Sequence, residues 1–266
     1  MRWWLTALVL VGCSCEDDAT SLAADGYVRC HMADVQAETR HVGDLTLRFE
    51  DRTLTVEGMP SSPTVAVATG PLSGEAPEAD LYIVLGGLTE MPGLDPHGGL
   101  VLAIAGGSDD GSRWQRALSI DPESNRGIFD ATRLRLVRIG RLELVPVAGA
   151  PARYAATDQS CGRGPDEADE WALDPPGQGV TRVLVSWAAP EATGLLGQPA
   201  GDPTVGAIRA AAHAGPVVFA WPREDAAAVR PASGPWIVRG DGHREPPGWT
   251  LFEASDEGWR RRPDSP

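Results

Sequence analysis

Alternation is the first pattern the chain shows. Leu45, Leu47 and Phe49 recur at every second position, Glu50-Asp51-Arg52 interrupts them, and Leu54 and Val56 resume the period. Period-2 apolar residues around a short polar break predict a β-hairpin. A second hairpin is expected about Ile139-Gly140-Arg141, with Leu134 and Leu136 before it and Leu142 and Leu144 after it. Five continuous apolar runs, at 64–69, 81–85, 101–105, 182–187 and 216–221, have no alternation. Such runs suit strands covered on both faces, as in α/β sheets, and each ends in small or polar residues, where α/β proteins place their sites. The tail segments 236–238 and 249–252 read as further strand.

One helix is well marked. Asp202 is a candidate N-cap, Pro203 suits the first helical position, Val205, Ile208 and Ala212 share one face, and Gly215 stands past the end. His213 at that C-terminus suits a dipole partner. A shorter helix is expected over 114–120. Loops rich in Gly, Pro and acids fill 91–99 and 162–179. The acidic run Asp166, Glu167, Asp169 and Glu170 lacks the alternating oxygens and central glycine of a calcium loop and reads as a solvated helix start.

The N-terminus has a different character. Arg2 precedes an apolar run over 3–11 that ends in Leu10-Val11-Gly12-Cys13. A membrane span needs roughly 20 apolar residues, and this run has about half as many, which suits a signal h-region. The ending matches the lipobox of bacterial lipoprotein signals, so residues 1–12 read as signal peptide, Cys13 as the lipidated residue and 14–26 as a flexible acidic tether. Ser14 after the cysteine points to the outer membrane of the bacterial envelope. Residues 27–266 then form one domain, large enough for a proper core.

Net charge is −14 and every basic residue is arginine. The charge argues against nucleic acid and anionic headgroups as partners, and the missing lysine excludes Schiff-base chemistry and a P-loop. With Cys13 assigned to lipid and Cys15 to the tether, Cys30 and Cys161 remain as the favoured disulfide of an oxidising compartment; three free thiols are the alternative. No G-x-S-x-G, H-E-x-x-H, C-x-x-C or dinucleotide fingerprint occurs, and His31, His41, His97, His213 and His243 are scattered without metal-ligand spacing.

The ends of the five runs carry Val67-Ala68-Thr69-Gly70-Pro71-Leu72, Val84-Leu85-Gly86-Gly87-Leu88-Thr89-Glu90, Ala103-Ile104-Ala105-Gly106-Gly107-Ser108-Asp109, Leu184-Val185-Ser186-Trp187-Ala188-Ala189-Pro190 and Val218-Phe219-Ala220-Trp221-Pro222-Arg223. Their order resembles the calcineurin-like metallophosphoesterase family, whose strand ends carry Asp-x-His, Gly-Asp-x-x-Asp, Gly-Asn-His-Asp or Glu, a lone His and Gly-His-x-His. The resemblance covers roughly 64–223. It implies an α/β fold with a layered α-β-β-α sandwich and added β-hairpins. It also implies a degenerate site. Gly70 stands for the Asp and Leu72 for the His of the first motif, Gly87 for the bridging Asp, Gly107 and Ser108 for Asn and His, and Trp187, Trp221 and Arg223 for the later histidines. Two divalent ions about 4 Å apart need carboxylate, imidazole and amide ligands, and Asp109 or Glu90 alone cannot hold them. The resemblance therefore implies no metal, no cofactor and no catalytic residue. Trp187 and Trp221 would fill the former metal cavity, with Arg223 beside Asp109.

The function expected is a membrane-anchored envelope lipoprotein whose domain binds or scaffolds, with an envelope protein as partner. Two alternatives remain. One is a hydrolase with an unrecognised site, in which Asp109–Asp110 or Glu167–Asp169 would serve as acid–base pairs. The other is envelope structure or surface display, for which exposed Trp187, Trp221 or Trp236 would form an apolar patch.

Overall fold

Both predicted hairpins form, and each supplies strands to one large sheet. A computed structural model describes residues 29–32, 35–69, 76–87, 99–107, 109, 128–151, 160–164, 167–188, 203–220, 236–239, 249–255 and 258–262. In chain order the strands are β1 (Glu38–Val42), β2 (Leu45–Glu50), β3 (Thr53–Glu57), β4 (Thr64–Thr69), β5 (Leu81–Leu85), β6 (Leu100–Ile104), β7 (Ile128–Asp130), β8 (Leu136–Ile139) and β9 (Leu142–Val147). The short β10 (Ala150–Pro151) and β11 (Gly162–Arg163) precede β12 (Thr181–Ser186). Helix α1 (Pro203–Ala211) leads to β13 (Val217–Ala220), β14 (Trp236–Arg239), β15 (Thr250–Ser255) and β16 (Gly258–Arg261).

The first hairpin turns through Asp51 and Arg52, both with left-handed φ of 44° and 59°, between the paired residues Glu50 and Thr53. Two successive left-handed residues match the twist of a two-residue hairpin, but arginine there costs on the order of 1–2 kcal/mol. The cost is offset by over-determination. Arg52 donates from Nε to the Arg133 carbonyl at 3.0 Å and from Nη2 to the His31 carbonyl at 2.6 Å. Its own carbonyl accepts from the Arg135 amide at 2.8 Å. The second hairpin pairs Ile139 with Leu142 around Gly140, at φ 57°.

The strands assemble into two mixed sheets. One has eight strands in the order β1-β2-β3-β8-β9-β12-β13-β14, the other six in the order β16-β15-β4-β5-β6-β7, and β10 and β11 pair separately. The neighbours β9-β12-β13-β14 and β4-β5-β6-β7 run parallel. The continuous apolar runs are explained by burial on both faces. Leu81, Ile83 and Leu85 of β5 share an inter-sheet core with Leu142, Leu144, Val183, Val185 and Val218 of the other sheet. Tyr82 and Val84 pack on the outer face of β5 with Ala66, Ala68 and Val101. Leu184, Val217 and Phe219 face outward from the eight-stranded sheet against Val205, Ile208 and Ala212 of the α1 region, and against Trp171. The chain is thus a mixed α/β protein on two mixed sheets, with α1 the single α-helix among the described residues.

Helix α1 begins at the expected proline but ends differently from the sequence expectation. The left-handed position is His213 (φ 50°), two residues before Gly215. The Ala214 amide donates to the Arg209 carbonyl at 3.0 Å and the His213 amide to Ala210 at 3.1 Å, which is the Schellman pairing. Arg182 caps the same end, donating to the Ala212 carbonyl at 2.6 Å, so this arginine, rather than the exposed His213 imidazole, sits on the helix terminus. Gly215 instead donates its amide to the Arg182 carbonyl at 3.0 Å. Asp202 and the helix expected over 114–120 lie outside the described residues, as does the loop over 91–98. The segment 162–179, expected to be loop, contains β11 and a 3₁₀ turn, Glu167–Trp171, that buries Trp171 completely.

Cys30 and Cys161 form a disulfide with Cα atoms 5.4 Å apart across 131 residues of sequence. Closing so long a loop removes much conformational freedom from the unfolded chain. Replacing both cysteines by serine should lower unfolding free energy by about 2–5 kcal/mol, read from urea denaturation, and reductant should then have no further effect.

Candidate functional site

The C-terminal ends of parallel strands from both sheets meet at one place. Past β5, the Gly86 amide donates to the Ile104 carbonyl at the end of β6, at 2.8 Å. Past β9, the Gly149 amide donates to the Ala105 carbonyl at 2.7 Å and so joins the two sheets. Past β12, the Trp187 amide reaches the Val147 carbonyl at 3.4 Å. Residues 86–87, 105–107, 109, 147–150 and 187 are thereby brought together.

Asp109 is a charged group at this junction, and it is only 4% exposed. The Gly87 amide donates to its Oδ1 at 2.9 Å and its Oδ2 at 3.1 Å, and the Gly106 amide donates to Oδ2 at 2.6 Å. Hydrogen bonds from amides to an ionised acceptor are about twice as strong as neutral ones. Beside the carboxylate lies the indole of Trp187, partly buried against the inter-sheet core. The glycines are required by its closeness. A Cβ on Gly86 would lie 2.9 Å from Trp187 Nε1, and one on Gly106 would lie 2.5 Å from it. A Cβ on Gly107 would meet the Ala150 methyl at 2.3 Å and Trp187 Cζ3 at 2.9 Å.

Of the positions picked out from sequence, Gly87, Gly107, Asp109 and Trp187 come together here. Gly70, Leu72, Glu90, Ser108, Asp110, Trp221 and Arg223 lie outside the described residues, as do Cys13 and the tether. The pairing of Asp109 with Arg223 lies there too. The described part of the junction does not suit a two-metal centre. Its glycines carry no donor, the indole occupies the space beside them, and both Asp109 oxygens are engaged by backbone amides. Among the described residues, no three His, Cys, Asp or Glu side chains are grouped to hold a metal ion.

A second polar cluster was not legible in the sequence. Glu167, expected in a solvated acidic run, is buried. Its Oε1 lies 2.8 Å from Arg29 Nε and its Oε2 lies 3.1 Å from His31 Nε2. His31 is 1% exposed, and its ring lies 4.9 Å from the Trp171 ring. Asp169 is exposed, so Glu167 and Asp169 occupy different environments and do not form an acid–base pair. The disulfide brings these groups close by holding residues 29–32 against 160–164. The Cys161 amide in turn donates to the Asp109 carbonyl at 3.2 Å, which links this cluster to the strand-end junction. Arg163, 1% exposed, donates Nη1 hydrogen bonds to the Ala148 and Gly149 carbonyls. Cysteine spacing was the available signal for this region. Nothing local marks Glu167 as the partner of His31, because 136 residues separate them.

Among the described residues, two clefts lie away from these groups. One of about 510 Å³ is bordered by Asp44, Glu78, Asp80 and Arg262. It sits where β4, β5 and β6 begin, and Asp80 Oδ2 accepts from the Thr64 amide at 2.7 Å. Parallel sheets place their sites at the opposite ends of the strands. The other, about 470 Å³, is lined in part by Glu143 and Arg182. Arg182 is already committed to Glu143 at 2.6 Å and to the Asp174 carbonyl at 2.7 Å.

No family model, curated protein sequence or solved structure matches the chain.

Burial pushes the His31 imidazole below its ordinary value of 6.5, and the hydrogen bond it donates to Glu167 does not restore it. Burial opposes ionisation of Glu167, but the hydrogen bond and charge of His31, the Gly164 amide and Arg29 outweigh it and hold the carboxyl below 4.5. Both shifts act in one direction. The unfolded chain protonates first, so stability is complete above about pH 6.5 and falls as pH drops, first through the histidine and below about pH 4.5 through the glutamate. Urea denaturation between pH 7.5 and 4 should show this decline, and His31→Gln should flatten the portion between pH 7 and 5. A slope unchanged by H31Q would contradict it.

Gly106→Ala should destabilise by about 1–3 kcal/mol through overpacking on Trp187. In a Trp187→Ala background the added methyl has space, so the double mutant should cost less than the sum of the single changes by about 1 kcal/mol or more. Strict additivity would separate the glycine from the indole.

Proposed function

We propose that the chain is a lipid-anchored protein of the bacterial envelope whose domain is a degenerate, non-catalytic relative of the metallophosphoesterases and serves as a binding or scaffolding module. The observation that carries the non-catalytic part is the state of the strand-end junction. A carboxylate that would face a metal is turned onto two amides, and an indole lies against three glycines.

The layering supports the fold part of the proposal. Two mixed sheets share one apolar layer, α1 covers the outer face of one of them, and parallel strand ends from both sheets converge. The anchor rests on the Leu10-Val11-Gly12-Cys13 sequence. Its address is the outer membrane, by the residue after the cysteine, and its partner there is an envelope protein. The strong negative charge favours a partner with basic or neutral surface over nucleic acid.

Two measurements test this reading. Cys13→Ser should move the protein from the membrane fraction to the soluble fraction; continued membrane retention would overturn the anchor. The purified protein, supplied with Mn²⁺, Zn²⁺ or Fe, should bind less than stoichiometric metal and hydrolyse neither phosphomonoesters nor phosphodiesters. Two equivalents of tightly held metal, or turnover that depends on Asp109, would overturn the non-catalytic domain.

A further inference from the structure

Two backbone amides at the junction aim at one anion. Gly87 and Gly106 stand just past the ends of the neighbouring strands β5 and β6, beyond the last residues of the sheet ladder, Leu85 and Ile104. The turn through Gly86 and Gly87 uses successive left-handed φ values of 72° and 68°, which residues with side chains rarely adopt. It brings the Gly87 N–H to 2.9 Å from Asp109 Oδ1, while the Gly106 N–H stands 2.6 Å from Oδ2. Converging backbone N–H groups of this kind bind oxyanions. Here the oxyanion belongs to the chain itself.

We infer that the Gly87 and Gly106 amides form an oxyanion-binding site that Asp109 occupies as an internal ligand, closing it to outside anions. The site accepts a planar carboxylate. A tetrahedral phosphate is larger, and the Trp187 indole stands against Gly106, 2.5 Å from where a Cβ of that glycine would sit. Trp187 therefore sets the size of the anion that fits. Asp109 is almost wholly buried, so its removal leaves two amide donors in a place that water reaches poorly, and a small carboxylate that enters recovers their hydrogen bonds. This inference depends on the hydrogen bonds alone and stands whether or not Cys13 carries lipid.

Chemical rescue tests it. Thermal unfolding of the full-length protein and of Asp109→Ala is followed in sodium formate, sodium phosphate and sodium chloride at matched ionic strength. D109A is expected to melt below the parent protein and to regain about 3–6 °C when formate reaches tenfold its Kd, with saturation. The parent protein should respond to formate no more than to chloride. Phosphate should rescue D109A/W187A and leave D109A unchanged. Equal responses to formate in the parent protein and D109A, or none in D109A, would overturn the internal ligand; equal rescue of D109A by phosphate would overturn the sizing role of Trp187. Asp109→Asn keeps the shape and removes the charge, which provides a reading if D109A does not fold. In D109N the Gly87 and Gly106 amide protons should move upfield and exchange roughly tenfold faster than in the parent protein. Unchanged amides would overturn the inference.

Discussion

Strands that run parallel and end between two sheets leave backbone amides in a dry interior, where an unmet donor costs on the order of 1–3 kcal/mol. Much of the strand-end region answers that requirement. The Gly86 amide is met by β6, the Gly149 amide by the loop after β6, and the Gly87 and Gly106 amides by Asp109. The carboxylate enters the apolar layer because these donors are waiting there, and the donors remain ordered because the carboxylate is charged. Neither would be stable without the other. The same bonds tie the six-stranded sheet to the loops that connect to the eight-stranded one.

The constraint reaches the far cluster through covalent and hydrogen-bonded links. Cys161 donates its amide to Asp109 and its sulfur to the disulfide with Cys30. Residues 29–32 are then held by Glu167, by Arg52 and by the face of Trp171. The segment leading into β1 is therefore built into the domain. In the proposed lipoprotein, the anchor would pull on this stapled segment, so a load would be carried by the disulfide and the contacts of Glu167 before it reached the sheets.

A junction of strand ends can be used in more than one chemical way. Carboxylate, imidazole and amide side chains there make a cage for cations. Glycines with a carboxylate turned inward make the opposite, a set of donors satisfied by an anion. The small residues let an indole approach the backbone, and the indole in turn excludes the side chains that would carry ligands.

The hairpins, the five continuous runs and the start of α1 were legible because their causes are local: alternation, two-sided burial and the fixed φ of proline. The strands β1 and β7 were not, since β1 is largely exposed and β7 has three residues. His213 could not be singled out as the left-handed residue, because the glycine two positions later looked like the better stop. At the junction, sequence alone marked Gly87, Gly107, Asp109 and Trp187 as neighbours in a family-like order. It did not mark Gly86 and Gly106, whose need for hydrogen as a side chain arises from an indole about eighty residues or more away in the chain. Nor did it reveal that Asp109 faces inward. The sequence by itself determined which residues are apolar on two faces and where the chain turns. Only the tertiary structure decided which donors and acceptors meet, because the pairing of Asp109 with Gly87, and of Glu167 with Arg29 and His31, follows from sheet order and not from spacing.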